Sequence, residues 1–318
     1  MERRIVAVML AGLLRPSPLR EGIDVPALCL PVGRAGTLLD AWLKVLQRVP
    51  GLNDVRIVIN SKADLGTVSK LARAARPASA ADAPEPNSSF SIRTIAEPSS
   101  WRGTIGLVRD VTEDLAMEDI VIVIEAHCLP PESIRPVIDR LQPSRAGVVG
   151  ISGLDQPSGV YALRIDAVRV TPSNGYMDFK EQFLPRLNEK GMRLTTARLS
   201  DRSLRMWDRA SYLEAVHESL DGSRAKVGEV RVSSQASVSS SAALDGFCIV
   251  EPGAVIEDGA VVQDSVILAG ATVGGGAIVS KTVVGQRATV APRAIVVRQI
   301  VPIGQTVDRG QQTVPVAM

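Results

Sequence analysis

Between Val238 and Val296 an aliphatic side chain returns at nearly every sixth position. The run is Val238, Leu244, Val250, Ile256 and Val262. A five-residue step through Asp264-Ser265-Val266 resets the frame to Ile267, Val273 and Val279, and a second such step leads to Val284, Val290 and Val296. Gly253, Gly259, Gly270, Gly275 and Ala288 fall near the intervening turns. Neither a helix nor an alternating strand has this period. It fits one short strand and one turn per hexapeptide, with coils of about 18 residues stacked so that the aliphatic residues form an inner column. Such a bore is too narrow for aromatic rings. Of four Phe, three Trp and three Tyr, only Phe247 lies beyond residue 212.

The first part of the chain has a different rhythm. Ile5–Leu10, Val55–Ile59, Ser91–Ile95, Ile120–Glu125 and Gly147–Ile151 are apolar, β-branched runs that predict strands of a sheet covered on both faces. Between them Thr37–Val49, Thr104–Leu115, Asp178–Lys190 and Asp208–Leu220 predict helices. Leu38, Leu39, Trp42, Leu43, Leu46 and Val49 line one face of the first, with Thr37 and Asp40 at its cap, and Asp178 with Glu181 forms a capping box on the third. Alternation of this kind predicts a Rossmann-like α/β domain over 1–222, with a flexible loop at 76–89. A linker over 223–237, a β-helix over 238–303 and a tail over 304–318 complete the expected order. The start, Met1-Glu2-Arg3-Arg4 before an apolar run, has the layout of a signal peptide, but it lacks a small-x-small cleavage site and reads as a buried first strand.

Thirty-six Lys+Arg against 34 Asp+Glu give +2, which argues against nucleic acid as a partner. No apolar run reaches the ~20 residues of a membrane helix. Cys29, Cys128 and Cys248 follow no metal or disulfide spacing, and their odd number suits a reducing cytoplasm. With only His127 and His217, a His-rich metal site is excluded.

Five segments in order resemble the sugar-nucleotide pyrophosphorylases, nucleotidyltransferases that join a nucleoside triphosphate to a sugar 1-phosphate. They are Leu10-Ala11-Gly12; Leu28-Cys29-Leu30-Pro31-Val32 leading into Thr37-Leu38-Leu39; Gly103-Thr104-Ile105-Gly106; Asp178-Phe179-Lys180 with Phe183-Leu184-Pro185-Arg186-Leu187; and Tyr212-Leu213-Glu214-Ala215. The resemblance implies a GT-A-like nucleotidyltransferase domain, and the repeat is similar to the left-handed parallel β-helix of hexapeptide proteins. It further implies a Gly-rich phosphate loop, a Lys, two metal-binding Asp residues and a sugar-binding Glu, with Mg²⁺ as cofactor if the chain is active.

At each of these places the sequence departs from the family. Gly12 is followed by Leu13-Leu14-Arg15-Pro16, which lacks the further glycines and leaves Arg15 as the cation. The Lys position is Ala27. His127 stands for the first Asp and Arg205 for the second; Asp208, three residues later, reads as an N-cap. The stretch Ser152–Ser158 is too short to carry the sugar-binding Glu. Glu125 and His127 share a strand side and are, with Asp208, the candidates for a transition metal, the pair being two ligands without a third; the alternative is a strand-end His at a vestigial pocket. Ala11, Gly12, Arg15, Gly103 and Thr104 are the residues a nucleotide would meet.

The expectation is a nucleotidyltransferase-like, catalytically impaired protein that serves as a regulatory, scaffolding or ligand-binding subunit. It would form homo-oligomers, or hetero-oligomers with an active paralogue, and bind a nucleotide or sugar nucleotide. The competing readings are an active enzyme with an altered site, using Arg15, His127 and Asp208, and a hexapeptide acyltransferase. The last lacks its usual base, since no His follows His217.

Overall fold

A computed structural model describes residues 3–12, 17–33, 36–75, 90–97, 102–141, 145–221 and 229–310. Arg15 and the segment 76–89 lie outside them. The chain divides into two compact units, one of Met1–Arg15 with Leu39–Ser203 and one of Pro16–Leu38 with Leu204–Met318.

The first unit is built on a seven-stranded mixed sheet. Its strands are β1 (Ile5–Leu10), β2 (Leu52–Ile59), β3 (Ser91–Ala96), β4 (Ile120–Glu125), β5 (Gly147–Ser152), β6 (Gln156–Arg164) and β7 (Leu194–Arg198). The order is β3-β2-β1-β4-β6-β5-β7. β1 is parallel to β2 and β4, whereas β6 runs antiparallel to both β4 and β5. The apolar N-terminal run is thus a central strand, with Val6, Ala7, Val8 and Met9 fully buried.

One core joins Val6, Val8, Val121 and Val123 of the sheet to Ile105 and Val108 of the helix Gly103–Asp110, and to Phe179 and Phe183. Tyr161 of β6 stacks on Phe179 with centroids 4.5 Å apart. In the helix Leu38–Leu46 the predicted apolar face, Leu38, Leu39, Trp42, Leu43 and Leu46, is buried.

The expected helix over Asp178–Lys190 begins differently. Phe179–Phe183 is a π-turn, in which Phe183 N–H donates to Asp178 C=O, and Leu184–Glu189 continues as α-helix. Asp178 caps it by accepting from the Lys180 and Glu181 amides. The reciprocal bond, however, runs from Asp178 N–H to Gln182 Oε1 at 2.8 Å. A π-turn holds one more residue than an α-turn, so position 182 replaces Glu181 in the box. The helix from Gly103 ends at Asp110, short of Leu115, and just beyond it Thr112 Oγ1 donates back to Val108 C=O at 2.7 Å.

In the second unit three stacks of short parallel strands form a β-helix. One runs Val230–Val232, Ala243–Val250, Val261–Ile267, Ile278–Ser280 and Ile295–Val297; another runs from Ser237–Val238 to Thr306–Val307. Pairing therefore extends to either side of 238–303. From Val250 to Val296 every residue of the predicted column is at most 1% exposed, and Ala254, Ala260, Ala271, Ala277, Ala288 and Ala294 fill the space between.

The coil is not uniform. Ala243 pairs with Val261, 18 residues on, whereas Val261 pairs with Ile278 and Ile278 with Ile295, each 17 on. The five-residue steps cause the change. At each shortened corner Asp264, Lys281 or Arg298 adopts a left-handed backbone, with φ of 45°, 49° and 55°. After the first two corners the next residue lines the interior: Ser265 Oγ accepts from Thr282 N–H at 3.0 Å, and Thr282 Oγ1 accepts from Gln299 N–H at 3.3 Å. This hydroxyl ladder satisfies amides that the tighter corner takes out of water.

Candidate functional site

Strand order reverses between β1 and β4, since β2 and β3 lie on one side and β6 on the other. Open α/β sheets bind ligands beyond the carboxyl ends of strands at such a switch point. Leu10 is in register with Glu125, and Ala126 N–H donates to Leu10 C=O at 3.1 Å. Ala11-Gly12 and Glu125-Ala126-His127 therefore leave the sheet side by side.

Ala11 N–H donates to Val58 C=O, and Gly12 packs on Asn60 so closely that a Cβ would stand 2.7 Å from Asn60 Cγ. Gly12 thus meets a neighbouring side chain. Gly103 has φ +67°, and a Cβ there would overlap the Met177 carbonyl. Met177 N–H donates to Arg102 C=O at 2.9 Å. The turn before Thr104 is accordingly a close backbone packing. Arg102 reinforces it through a bidentate pair with Asp110 at 2.6 and 2.8 Å. Glu97, just past β3, also lies at this edge, where burial pushes its carboxyl up.

Glu125 to Cys128 form a β-turn in which Cys128 N–H donates to Glu125 C=O at 3.1 Å. This brings the carboxylate, imidazole and thiol of Glu125, His127 and Cys128 within 4.8 Å of one another. Tyr161 OH donates to Glu125 Oε1 at 3.0 Å, while Oε2 stands 3.9 Å from His127 Nε2. Cys128 is fully buried, and Trp42 Nε1–H donates to its carbonyl at 2.9 Å. Strand alternation pairs Glu125 with His127 but says nothing of Cys128, because the turn delivers the thiol. The nearest signal was the adjacency of three ligand types, Glu-Ala-His-Cys, at a strand end.

Ala27, Arg205 and Asp208 belong to the second unit. Ala27 begins a short 3₁₀ turn, Ala27–Cys29. Arg205 is half-buried, and its carbonyl accepts from Trp207 N–H. Asp208 Oδ1 accepts from Ser211 N–H at 2.8 Å, and Ser211 Oγ accepts from Asp208 N–H at 3.0 Å, a reciprocal capping box on the helix Arg209–Asp221. Ionised Asp208 is favoured there: burial raises its carboxyl, but the bonds from Ser211 and Ala210 outweigh it and hold it low. His217 is exposed and stacks on Phe247 at 5.1 Å.

A mixed α/β sheet followed in sequence by a β-helix is the pairing of folds that the resemblance to sugar-nucleotide pyrophosphorylases implies. Residues 226–314 match the family model for the GMPPB C-terminal domain, a sugar-nucleotide pyrophosphorylase family domain, so the likeness covers the β-helix portion of the chain. No curated protein matches the chain with significance. Among the described residues no helix is long and apolar enough to cross a membrane.

Proposed function

We propose that this chain is a nucleotidyltransferase-like subunit that has lost nucleotidyl transfer and serves a regulatory, scaffolding or ligand-binding role. The observation that carries the reading is the end of β4. Where the family resemblance implies an Asp for Mg²⁺, the chain has His127, grouped with a carboxylate and a thiol. Mg²⁺ prefers oxygen ligands in octahedral geometry, and an imidazole with a thiol suits it poorly. Ala27 in place of the implied Lys removes the charge that would neutralise a phosphate, a contribution of several kcal/mol in such reactions.

A scaffolding role has support in the β-helix. Along one outer face Val261, Ile278 and Ile295 are stacked in register at 36%, 40% and 64% exposure. An apolar ladder of this kind suits contact with a second copy or with an active paralogue.

The test is pyrophosphate release by the purified chain with each nucleoside triphosphate, sugar 1-phosphates and Mg²⁺. No release above the protein-free rate is expected, while thermal-shift screening identifies any nucleotide or sugar nucleotide that binds. Turnover that Arg15→Ala abolishes would establish the active alternative instead.

A further inference from the structure

We propose that Glu125, His127 and Cys128 form a three-ligand site for a borderline-soft divalent ion of the Zn²⁺ class. The site includes His127, the position at which the resemblance implies the Mg²⁺ ligand, but metal retention is read without any nucleotidyl transfer, so the two readings fail separately.

The donor set decides the class of ion. One carboxylate oxygen, one imidazole nitrogen and one thiolate sulfur are ligands for zinc or cobalt and a poor cage for Mg²⁺. Bonds of about 2.0–2.3 Å in a tetrahedron place ligand atoms about 3.3–3.8 Å apart. The three donors already lie within 4.8 Å, and the Glu125 Oε2 to His127 Nε2 separation is 3.9 Å. Small rotamer changes close the remainder.

The surroundings hold this arrangement. Tyr161 OH occupies Glu125 Oε1 and leaves Oε2 on the side of His127, the role of an outer-shell partner. Tyr161 is itself fixed by its stack on Phe179. The bond from Trp42 to the Cys128 carbonyl fixes the thiol's backbone. Across β6, Gly159 has φ +81°, and a Cβ there would stand 2.9 Å from Cys128 Sγ and 3.2 Å from Glu125 Cβ. A side chain at 159 would force these two ligands apart. The His127 and Glu125 side chains are 16% and 20% exposed, so the cluster is not sealed from solvent. Three protein ligands leave a fourth position for water or an exogenous ligand. The thiolate and neutral imidazole are the ligating forms, so protons compete with the metal and binding weakens as pH is lowered.

The experiment uses the full chain stripped with a chelator. Zn²⁺ should be retained at one ion per chain through gel filtration and raise the melting temperature. Co²⁺ should show a thiolate charge-transfer band with the visible bands of a four-coordinate ion, and excess Mg²⁺ should not remove it. Cys128→Ser should abolish the charge-transfer band. Tyr161→Phe should keep the band and weaken Zn²⁺ binding by about tenfold or more. Cys29→Ser and Cys248→Ser should change neither readout. His127→Gln and Glu125→Gln, at the half-buried side, give the same test if Cys128→Ser does not fold, and each should weaken Zn²⁺ binding. Failure of the wild-type chain to retain Zn²⁺, a cobalt spectrum without the thiolate band, displacement by Mg²⁺, or affinity unchanged in these ligand variants overturns the proposal.

Discussion

Replacing Arg56 by Met should be among the costliest single changes in the α/β unit. Arg56 lies on β2 and is 1% exposed. It donates to Asp54 Oδ2 at 2.9 Å, to both oxygens of Asp114 at 2.6 and 2.7 Å, and to the Val111 carbonyl. Removing one partner of a fully buried pair costs about 3–5 kcal/mol. Two features reduce that here. Asp54 keeps Arg93 and Ser91, and the Asp114 side chain is 51% exposed and regains water. The Val111 carbonyl, left unpaired, restores about 1–3 kcal/mol of loss. The expected cost is about 3 kcal/mol, or about 6–12 °C in a unit of this size. Buried Trp42 reports unfolding of that unit by fluorescence in urea. The pH dependence is a second test. Burial raises the Asp54 carboxyl, but hydrogen bonds from Arg93, Ser91 and Arg56 outweigh it and hold it low; at Asp114 the bond from Arg56 itself is the main cause of a lowered value. Groups with lowered folded values contribute stability above the unfolded value, and it is lost as pH falls through the folded one. The gap between wild type and variant should therefore begin to narrow below about pH 4, leaving the part owed to the Val111 carbonyl. A cost under about 1 kcal/mol at neutral pH, or a gap that stays constant into acid, would refute the reasoning.

Two other substitutions examine local claims. Gly103→Ala should destabilise by about 3 kcal/mol, from the left-handed backbone and the overlap with Met177; near-normal stability in urea would mean that the glycine serves a ligand rather than packing. Thr282→Val keeps the volume but leaves Gln299 N–H and Ser280 C=O without the hydroxyl, for a loss of about 1–3 kcal/mol. The loss should show as faster hydrogen exchange in the adjoining coils and little change in the α/β unit, the behaviour of a nearest-neighbour repeat.

The features legible in the sequence are those with a period or a long uniform run. β1 and β4 are continuous β-branched stretches, and the inner column of the β-helix repeats often enough to be read with its two frame resets. What escaped depends on turns and on distant pairing. Gln182 replaces Glu181 because a π-turn adds a residue. Arg56 and Asp54 are charged positions in a buried strand, and only partners such as Asp114 and Arg93 make that tolerable. Val230–Val232 lies one step before the column as read, with Val232 six residues ahead of Val238, and it joins the stack by pairing with Cys248 to Val250. Cys128 reaches the candidate site through a turn that alternation does not describe.

The 17-residue coil has a consequence for how this chain can change length. Its left-handed corners, hydroxyl ladder and inner aliphatics all recur at that one interval. Deleting a residue inside a strand would send its valines outward, whereas the change from 18 to 17 residues per coil is absorbed at the shortened corner. Removal of a whole coil leaves each remaining rung with an equivalent neighbour. Tolerated insertions and deletions in the β-helix should therefore come as whole turns or as single residues at a corner, so that its length is counted in rungs and corners.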